Sequence, residues 1–346
     1  MTTTETRSKN DNKQLISIPI PSGTEPLQID FSSELSLSTK QPPTVLTIAG
    51  SDPSGGAGVE ADLKTITSLK CYGLTCITTL TTQNTTGVKA KLNTDYDTIT
   101  GILSTIFDDF TQLDAIKVGV VTAEVVRWFF EHYHEIKWKV KFVVIDPIIS
   151  SSSGFDLSKL KIVQDCVESV YPWATLLTPN FNEAMKILHV LGYSYEDAVR
   201  VDNSGLKSPT ADEERENKHV SSESGSIEEF KRFTKFLTLK LKCRAVLLKG
   251  GHMPEVENPN IIQEILYDSL SNQFTIYKHT KMTGLKNTHG TGCTLSSSIS
   301  SYLAKGHSLQ EAVKLGVLYV HQALVHADET IGYGAGPLNH NWQLNQ

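Results

Sequence analysis

The 346-residue chain lacks any apolar run long enough to cross a bilayer; its apolar stretches Phe142–Ile149 and Ala245–Leu248 are strand-sized. Its first residues are polar, with no apolar core for a signal peptide, and Glu5 and Asp11 do not suit an acid-free transit peptide. The expected location is therefore the cytoplasm. There is little excess positive charge. A net charge of -6 argues against nucleic acid and anionic membrane surfaces, since phosphates call for clustered Lys and Arg. The cysteines Cys71, Cys76, Cys166, Cys243 and Cys293 are odd in number, and no C-x-x-C pair or Cys/His group has zinc spacing. The first four fit the pattern of buried small hydrophobes. Cys293 differs, because it stands at the mouth of a Gly-rich loop. Internal repeats are absent as well.

What is present is an alternation. Residues 1–43 are polar and end in Pro42-Pro43, which predicts a disordered arm. From Thr44 onward, strand-length apolar segments alternate with helix-period segments. The predicted strands are Val45–Ala49, Leu74–Leu80, Ala115–Val118, Val140–Ile145, Leu176–Leu177 and Ala245–Leu248. An antiparallel pair, Ile265–Ser269 and Gln273–Tyr277, is expected to follow them. Helices are predicted near Gly58–Leu69, Asp95–Phe107, Ala123–Glu135, Leu157–Val170, Phe181–Leu191, Ile227–Leu241, Cys293–Lys305 and Ser308–Asp328. Such alternation implies βαβ units in an α/β fold, with a mostly parallel sheet covered on both faces. Residues 202–226 break the rhythm with Asn, Ser, Glu, Lys and Gly and read as a solvated insertion within one domain spanning residues 44–340.

In an open α/β sheet the ligand crevice lies outside the carboxyl ends of the strands, so residues just after each strand carry the most weight. Gly50–Gly58 is Gly-rich but has no Gly-Lys-Ser/Thr ending, so it is not a Walker loop; taken alone it reads first as a tight βα turn and second as a ligand loop. Gln83 stands after the second strand in Thr81–Thr85, which by itself reads as a polar loop, although its carboxamide could pair with an amine beside a ring nitrogen. Asp146 ends an apolar strand, where a carboxylate meets a metal ion or a lysine. Asn180 and Glu183 share one helix face at another strand end; they suit water-mediated Mg²⁺ binding or simple N-capping. Lys249, followed by Gly250-Gly251-His252, can neutralise phosphate as a point charge, whereas His252 reads as loop packing. Gly290-Thr291-Gly292-Cys293 opens a helix rich in small residues. Its unpaired N–H groups and dipole are expected to hold an anion and to lower the Cys293 thiol pKa, so that the thiol accepts a proton from a substrate hydroxyl.

Together these motifs resemble the hydroxymethylpyrimidine/phosphomethylpyrimidine kinases of thiamin biosynthesis, a branch of the ribokinase-like superfamily. The resemblance runs from about Thr44 to Pro337. It is carried by Ala49–Gly58, Ala61–Thr65, Thr82–Thr85, Thr178–Asn180, Leu248–His252 and Asn287–Cys293. It implies a ribokinase-like three-layer sandwich and ATP- and Mg²⁺-dependent phosphorylation of 4-amino-5-hydroxymethyl-2-methylpyrimidine, then of its monophosphate to the diphosphate. It also implies a homo-oligomer, a dimer or larger. By the same resemblance Cys293 and Lys249 are catalytic, Gln83, Asp62 and Gly50 line the substrate pocket, and Gly290 to Cys293 form the anion hole. Asp146, Asn180 and Glu183 belong to the ATP/Mg²⁺ side, Asp146 and Glu183 acting on the metal through water. The chain departs from the family at Val120-Val121, which follows Lys117-x-Gly119 in place of Met-Leu, and at Glu60, expected on the surface in place of Gln. Ser150–Ser153 also lacks a basic residue found in some members. A pyridoxal kinase shares the Gly-Thr-Gly-Cys loop and is the nearest alternative; a non-catalytic sensor of a thiamin precursor is the alternative outside enzymes.

Overall fold

The computed structural model describes residues 41–148, 160–200, 226–252 and 258–345. In chain order the elements are β1 (Thr44–Ser51), α1 (Gly58–Ser68), β2 (Tyr72–Asn84), β3 (Gly87–Asn93), α2 (Tyr96–Asp109), β4 (Leu113–Val118), α3 (Ala123–Ile136) and β5 (Val140–Ile145). They continue with α4 (Leu160–Ser169), β6 (Leu176–Leu177), α5 (Phe181–Val190), α6 (Tyr195–Val199), α7 (Ile227–Leu241) and β7 (Ala245–Leu248). The chain then forms β8 (Ile261–Asp268), β9 (Gln273–Thr280), α8 (Thr291–Ala304) and α9 (Leu309–Val325). The arm predicted at 1–43 falls outside the described residues except for 41–43. So do the proposed insertion apart from Ser226, the run Ser150–Ser153 and the His252 side chain.

The strands form one sheet in the order β3-β2-β1-β4-β5-β6-β7-β8-β9. From β2 to β7 they run parallel, with antiparallel β3 at one edge and antiparallel β8 and β9 at the other. Successive strand residues point to opposite faces, so a strand covered on both sides must be apolar throughout. The two largest core clusters follow that rule. Val143, Ile145, Leu177, Val246 and Leu248 pack with α2, α3, α4, α5 and α7. Their neighbours Val144, Leu176, Ala245 and Leu247 pack with α8 and α9 on the other face. This is the three-layer sandwich expected.

Helix α8 packs against β1, β4 and β5 despite five serines among its residues. Ser296, Ser297, Ser298, Ser300 and Ser301 are fully buried. Most of their hydroxyls bond back to carbonyls one turn earlier, as Ser300 Oγ to Ser296 O (2.8 Å) and Ser301 Oγ to Ser297 O (2.8 Å). Small side chains bring this helix close to the sheet, which sets its N-terminus at the strand ends.

The structure departs from the sequence reading at the β2 end. Thr81–Asn84, expected as a polar loop, continues β2 and pairs with β3, an element the sequence did not suggest. Strand β3 is a mostly exposed edge with Lys89 and Lys91, so it has no apolar period to read. The short helix α6, with its Ser194/Asp197 capping box, was likewise missed. No helix among the described residues is long and apolar enough to cross a membrane.

Candidate active site

A cavity of about 700 Å³ runs along the carboxyl ends of the parallel strands. It collects Gly50 from β1, Gln83 from β2, Asp146 after β5, Asn180 and Glu183 after β6, Lys249 after β7, and Gly290 to Cys293 at the start of α8. The strand-end residues singled out in the sequence thus converge on one site.

The anion loop is built by close contact. Gly290 is the N-cap of α8 with φ 87, a left-handed conformation, and no side chain caps the helix. A Cβ there would lie 1.8 Å from the Gly56 carbonyl, so the glycine is needed for both conformation and space. Gly292 rests on a buried ion pair: a Cβ there would meet Asp146 Oδ2 at 3.0 Å and Lys249 Nζ at 3.3 Å. The uncapped N–H groups of the first turn therefore stand beside a lysine ammonium, a setting for phosphate.

Cys293 lines the cavity and is 6% exposed. The expected lowering of its thiol pKa does not hold. Burial pushes the thiol up to about 11, and the opposing pull of Lys117 and the Gly58 N–H is smaller. Enclosure is the largest influence on the thiol. The remaining cysteines are buried, as expected of small hydrophobes.

Asp146 meets a lysine, the second of its two anticipated partners: Lys249 Nζ donates to Asp146 Oδ1 at 2.8 Å and lies 3.7 Å from Glu183 Oε2. Burial alone would lower the lysine pKa, yet Asp146, with Glu183, holds it above its ordinary value. Burial pushes the Glu183 carboxyl up against the pull of Lys249. Asn180 and Glu183 form a full capping box: Asn180 Oδ1 accepts from Glu183 N (2.9 Å) and Glu183 Oε2 accepts from Asn180 N (2.8 Å). Asn180 is thus an N-cap that also borders the cavity. Among the described residues no cluster of three or more His, Cys, Asp or Glu side chains is arranged to hold a metal ion.

At the β1–β2 end, Gln83 Nε2 lies 3.1 Å from His289 Nε2, and the same imidazole nitrogen lies 2.8 Å from Asp52 Oδ2. Asp52 in turn accepts from the Ser54, Gly56 and Ala57 N–H groups, which closes the Gly-rich turn. Burial opposes its ionisation, but bonds to His289 and Ser54 hold its carboxyl below the ordinary value. Val120 lines this end of the cavity while Val121 belongs to the core beneath. Glu60 is not a free surface group. It accepts from Ser51 Oγ (2.6 Å) and Asp52 N (2.7 Å), buttressing the same turn.

Asp62 requires a correction. It was expected in the substrate pocket, yet it is fully buried and is not among the cavity-lining residues. Its carboxylate accepts from Thr47 Oγ1 (2.6 Å), Lys117 Nζ (2.8 Å) and Ser297 Oγ (2.7 Å), beneath the cavity rather than in it. Its position one helical turn inside α1 points it at the sheet. Sequence reading also missed Glu264 and His279, 3.3 Å apart, which line the β8–β9 end with Ile262, Val320 and Leu324. Their alternation along two ordinary strands gives no signal.

The family described as phosphomethylpyrimidine kinase matches residues 52–208 and 210–339. A hydroxymethylpyrimidine/phosphomethylpyrimidine kinase of Saccharomyces cerevisiae is 35% identical over 312 residues, covering 89% of this chain and 51% of that protein. The chain thus spans about half the length of this relative. The Escherichia coli hydroxymethylpyrimidine/phosphomethylpyrimidine kinase is 30% identical, with 85% of this chain and 96% of that protein covered. Among solved structures, a Staphylococcus aureus pyridoxal kinase in complex with AMP-PCP and pyridoxal is similar at 25% identity and a TM-score of 0.67, covering 88% of this chain and 95% of that one. Fold, strand-end residues and the match across nearly all of the Escherichia coli enzyme agree: the chain belongs to the phosphomethylpyrimidine kinase family.

Proposed function

We propose that the chain is an ATP-dependent kinase that phosphorylates 4-amino-5-hydroxymethyl-2-methylpyrimidine and then converts the monophosphate to the diphosphate. The observation that carries this reading is the placement of the Gly290–Cys293 loop over the Asp146–Lys249 pair, with Gln83 in the same cavity. Gln83 supports an aminopyrimidine, because its carboxamide can accept from the exocyclic amine and donate to the adjacent ring nitrogen. The nucleotide then approaches from the β8–β9 end, where Ile262, Val320 and Leu324 offer apolar contact.

Phosphoryl transfer needs positioning and charge neutralisation more than covalent help. The first-turn N–H groups of α8 and the Lys249 ammonium receive the phosphoryl oxygens. The substrate oxygen bonds to phosphorus as the bond to the departing nucleotide breaks, and Cys293 Sγ, as thiolate, takes the hydroxyl proton. Because burial raises its thiol pKa, Cys293 depends on nearby positive charge to act as an acceptor. Asp146 and Glu183, which already share Lys249, are the residues that would hold Mg²⁺, through water. When bound, Mg²⁺ neutralises charge on those phosphates.

The pyridoxal-bound neighbour favours one second reading, a pyridoxal kinase. Competition between the two alcohols decides: the pyrimidine should have the larger kcat/KM, and preference for pyridoxal would refute the assignment. The same reading places the kinase unit at residues 44–340, with the arm and insertion as appendages, in a cytoplasmic homo-oligomer that sedimentation velocity tests.

A further inference from the structure

One buried charged pair has no part in the roles above. Lys117, at the carboxyl end of β4, and Asp62 on α1 both have fully buried side chains and lie 2.8 Å apart. Most buried strand positions in this sheet are apolar. Burying an ion pair costs more desolvation than a hydrophobic pair of equal volume, so the fold gains little stability from this one.

Its position is informative. Asp62 also accepts from Ser297 Oγ, one turn after Cys293 on α8, and from Thr47 Oγ1 on β1. The pair thus joins β1, β4, α1 and the first turns of α8. The ammonium lies directly under Gly119 at the end of β4, where an added Cβ would come within 2.9 Å of Lys117 Nζ. The strongest charges acting on the Cys293 thiol are Lys117 on β4, Asp62 on α1 and Asp146 after β5, together with the Gly58 N–H, and the Lys249 ammonium stands beside the adjacent Gly292. Of these charges Lys117 favours the thiolate, while the two carboxylates oppose it. Asp62, with Cys293 and Asp146, holds the buried lysine ionised, its ammonium pushed up to about 12 against the cost of burial.

We propose that Lys117 is a positioning residue for phosphoryl transfer: clamped by Asp62 beneath the cavity floor, its ammonium stabilises the negative charge that develops at Cys293. This rests on the kinase reading for the reaction it serves, but the charge on the thiol can be read without turnover.

The test pairs two variants of the full chain. In Lys117→Met/Asp62→Asn both charges go, while the asparagine keeps an acceptor for Ser297 and Thr47. In Asp62→Asn one counter-charge is lost, and Asp146 and the Cys293 thiolate are left to hold the ammonium charged. Alkylation of Cys293 by iodoacetamide at pH 8, followed by peptide mass, should slow about fivefold or more in the double variant and quicken in Asp62→Asn. With the pyrimidine and ATP, kcat of the double variant should fall at least about tenfold while both KM values stay within about twofold. A folded double variant with parental alkylation and kcat overturns the proposal, and so do rates that shift in the same direction in both variants. If the double variant does not fold, Asp62→Asn decides alone, and unchanged or slower alkylation refutes the idea. If the parent does not phosphorylate the pyrimidine, the kinase reading fails while the alkylation rates still judge Lys117.

Discussion

Two lysine–aspartate pairs stand at the ligand edge of the sheet with the same 2.8 Å separation, yet they can do different things. Lys249, after β7, is 15% exposed and borders the cavity beside Gly292. Lys117, at the end of β4, is fully buried with its aspartate. The first can meet a phosphate; the second can act only through its field and through what it holds in place. A charged residue at a strand end is therefore an incomplete signal. The surrounding packing decides: Lys249 lines the cavity, whereas Lys117 lies beneath Gly119 with α8 packed on its strand.

Cys293, between the pairs, is where the largest effect is expected. Cys293→Ala should abolish turnover with the circular dichroism spectrum and nucleotide affinity retained; unimpaired turnover would remove the thiol from the mechanism. Next, Lys249→Met should lower kcat by roughly 10²–10³-fold, well beyond the loss from the Lys117/Asp62 double variant. Equal losses measured under saturating substrates would erase the distinction between a lysine that touches phosphate and one that does not. Smaller again, Gln83→Ala should raise KM for the pyrimidine about tenfold and leave KM for ATP within about twofold. The reverse pattern would move Gln83 to the nucleotide side.

A third buried group, the His340 imidazole, has no counter-charge among the described residues. His340 accepts or donates at 3.1 Å from Thr294 Oγ1, beside Cys293, and burial, aided by Lys64, pushes its imidazole down to about 4. It is therefore neutral where the paired lysines stay charged. Since unfolding restores an ordinary histidine, its contribution is complete above pH ~6.5 and is lost as pH falls towards 4, by up to about 3 kcal/mol. Urea midpoints should fall across that window, and His340→Phe should flatten the slope. An unchanged slope would contradict a buried neutral imidazole.

Much of the fold was legible because strands covered on both faces, such as Val140–Ile145 and Ala245–Leu248, are apolar without interruption. The exposed edge strand β3 has no such pattern, and with it went the knowledge that Gln83 sits on a strand. At the site, residues marked by glycines or a helix start, Gly50, Lys249 and Gly290 to Cys293, line the cavity at the strand ends. Asp62 was misplaced because its motif names the residue but not the side of α1 it faces. The raised thiol pKa was hidden for a related reason. Helix start and Gly-rich loop are visible in the sequence, whereas the enclosure that raises the thiol pKa arises only when α8 packs on β4 and β5.

The central claim is that this cavity transfers phosphoryl groups to an aminopyrimidine alcohol, twice. Mass analysis of the products after incubation with the pyrimidine, ATP and Mg²⁺ tests it most directly. The account predicts a monophosphate that appears first and is then consumed as the diphosphate accumulates. An unmodified pyrimidine, or a monophosphate that persists with excess ATP, would contradict it.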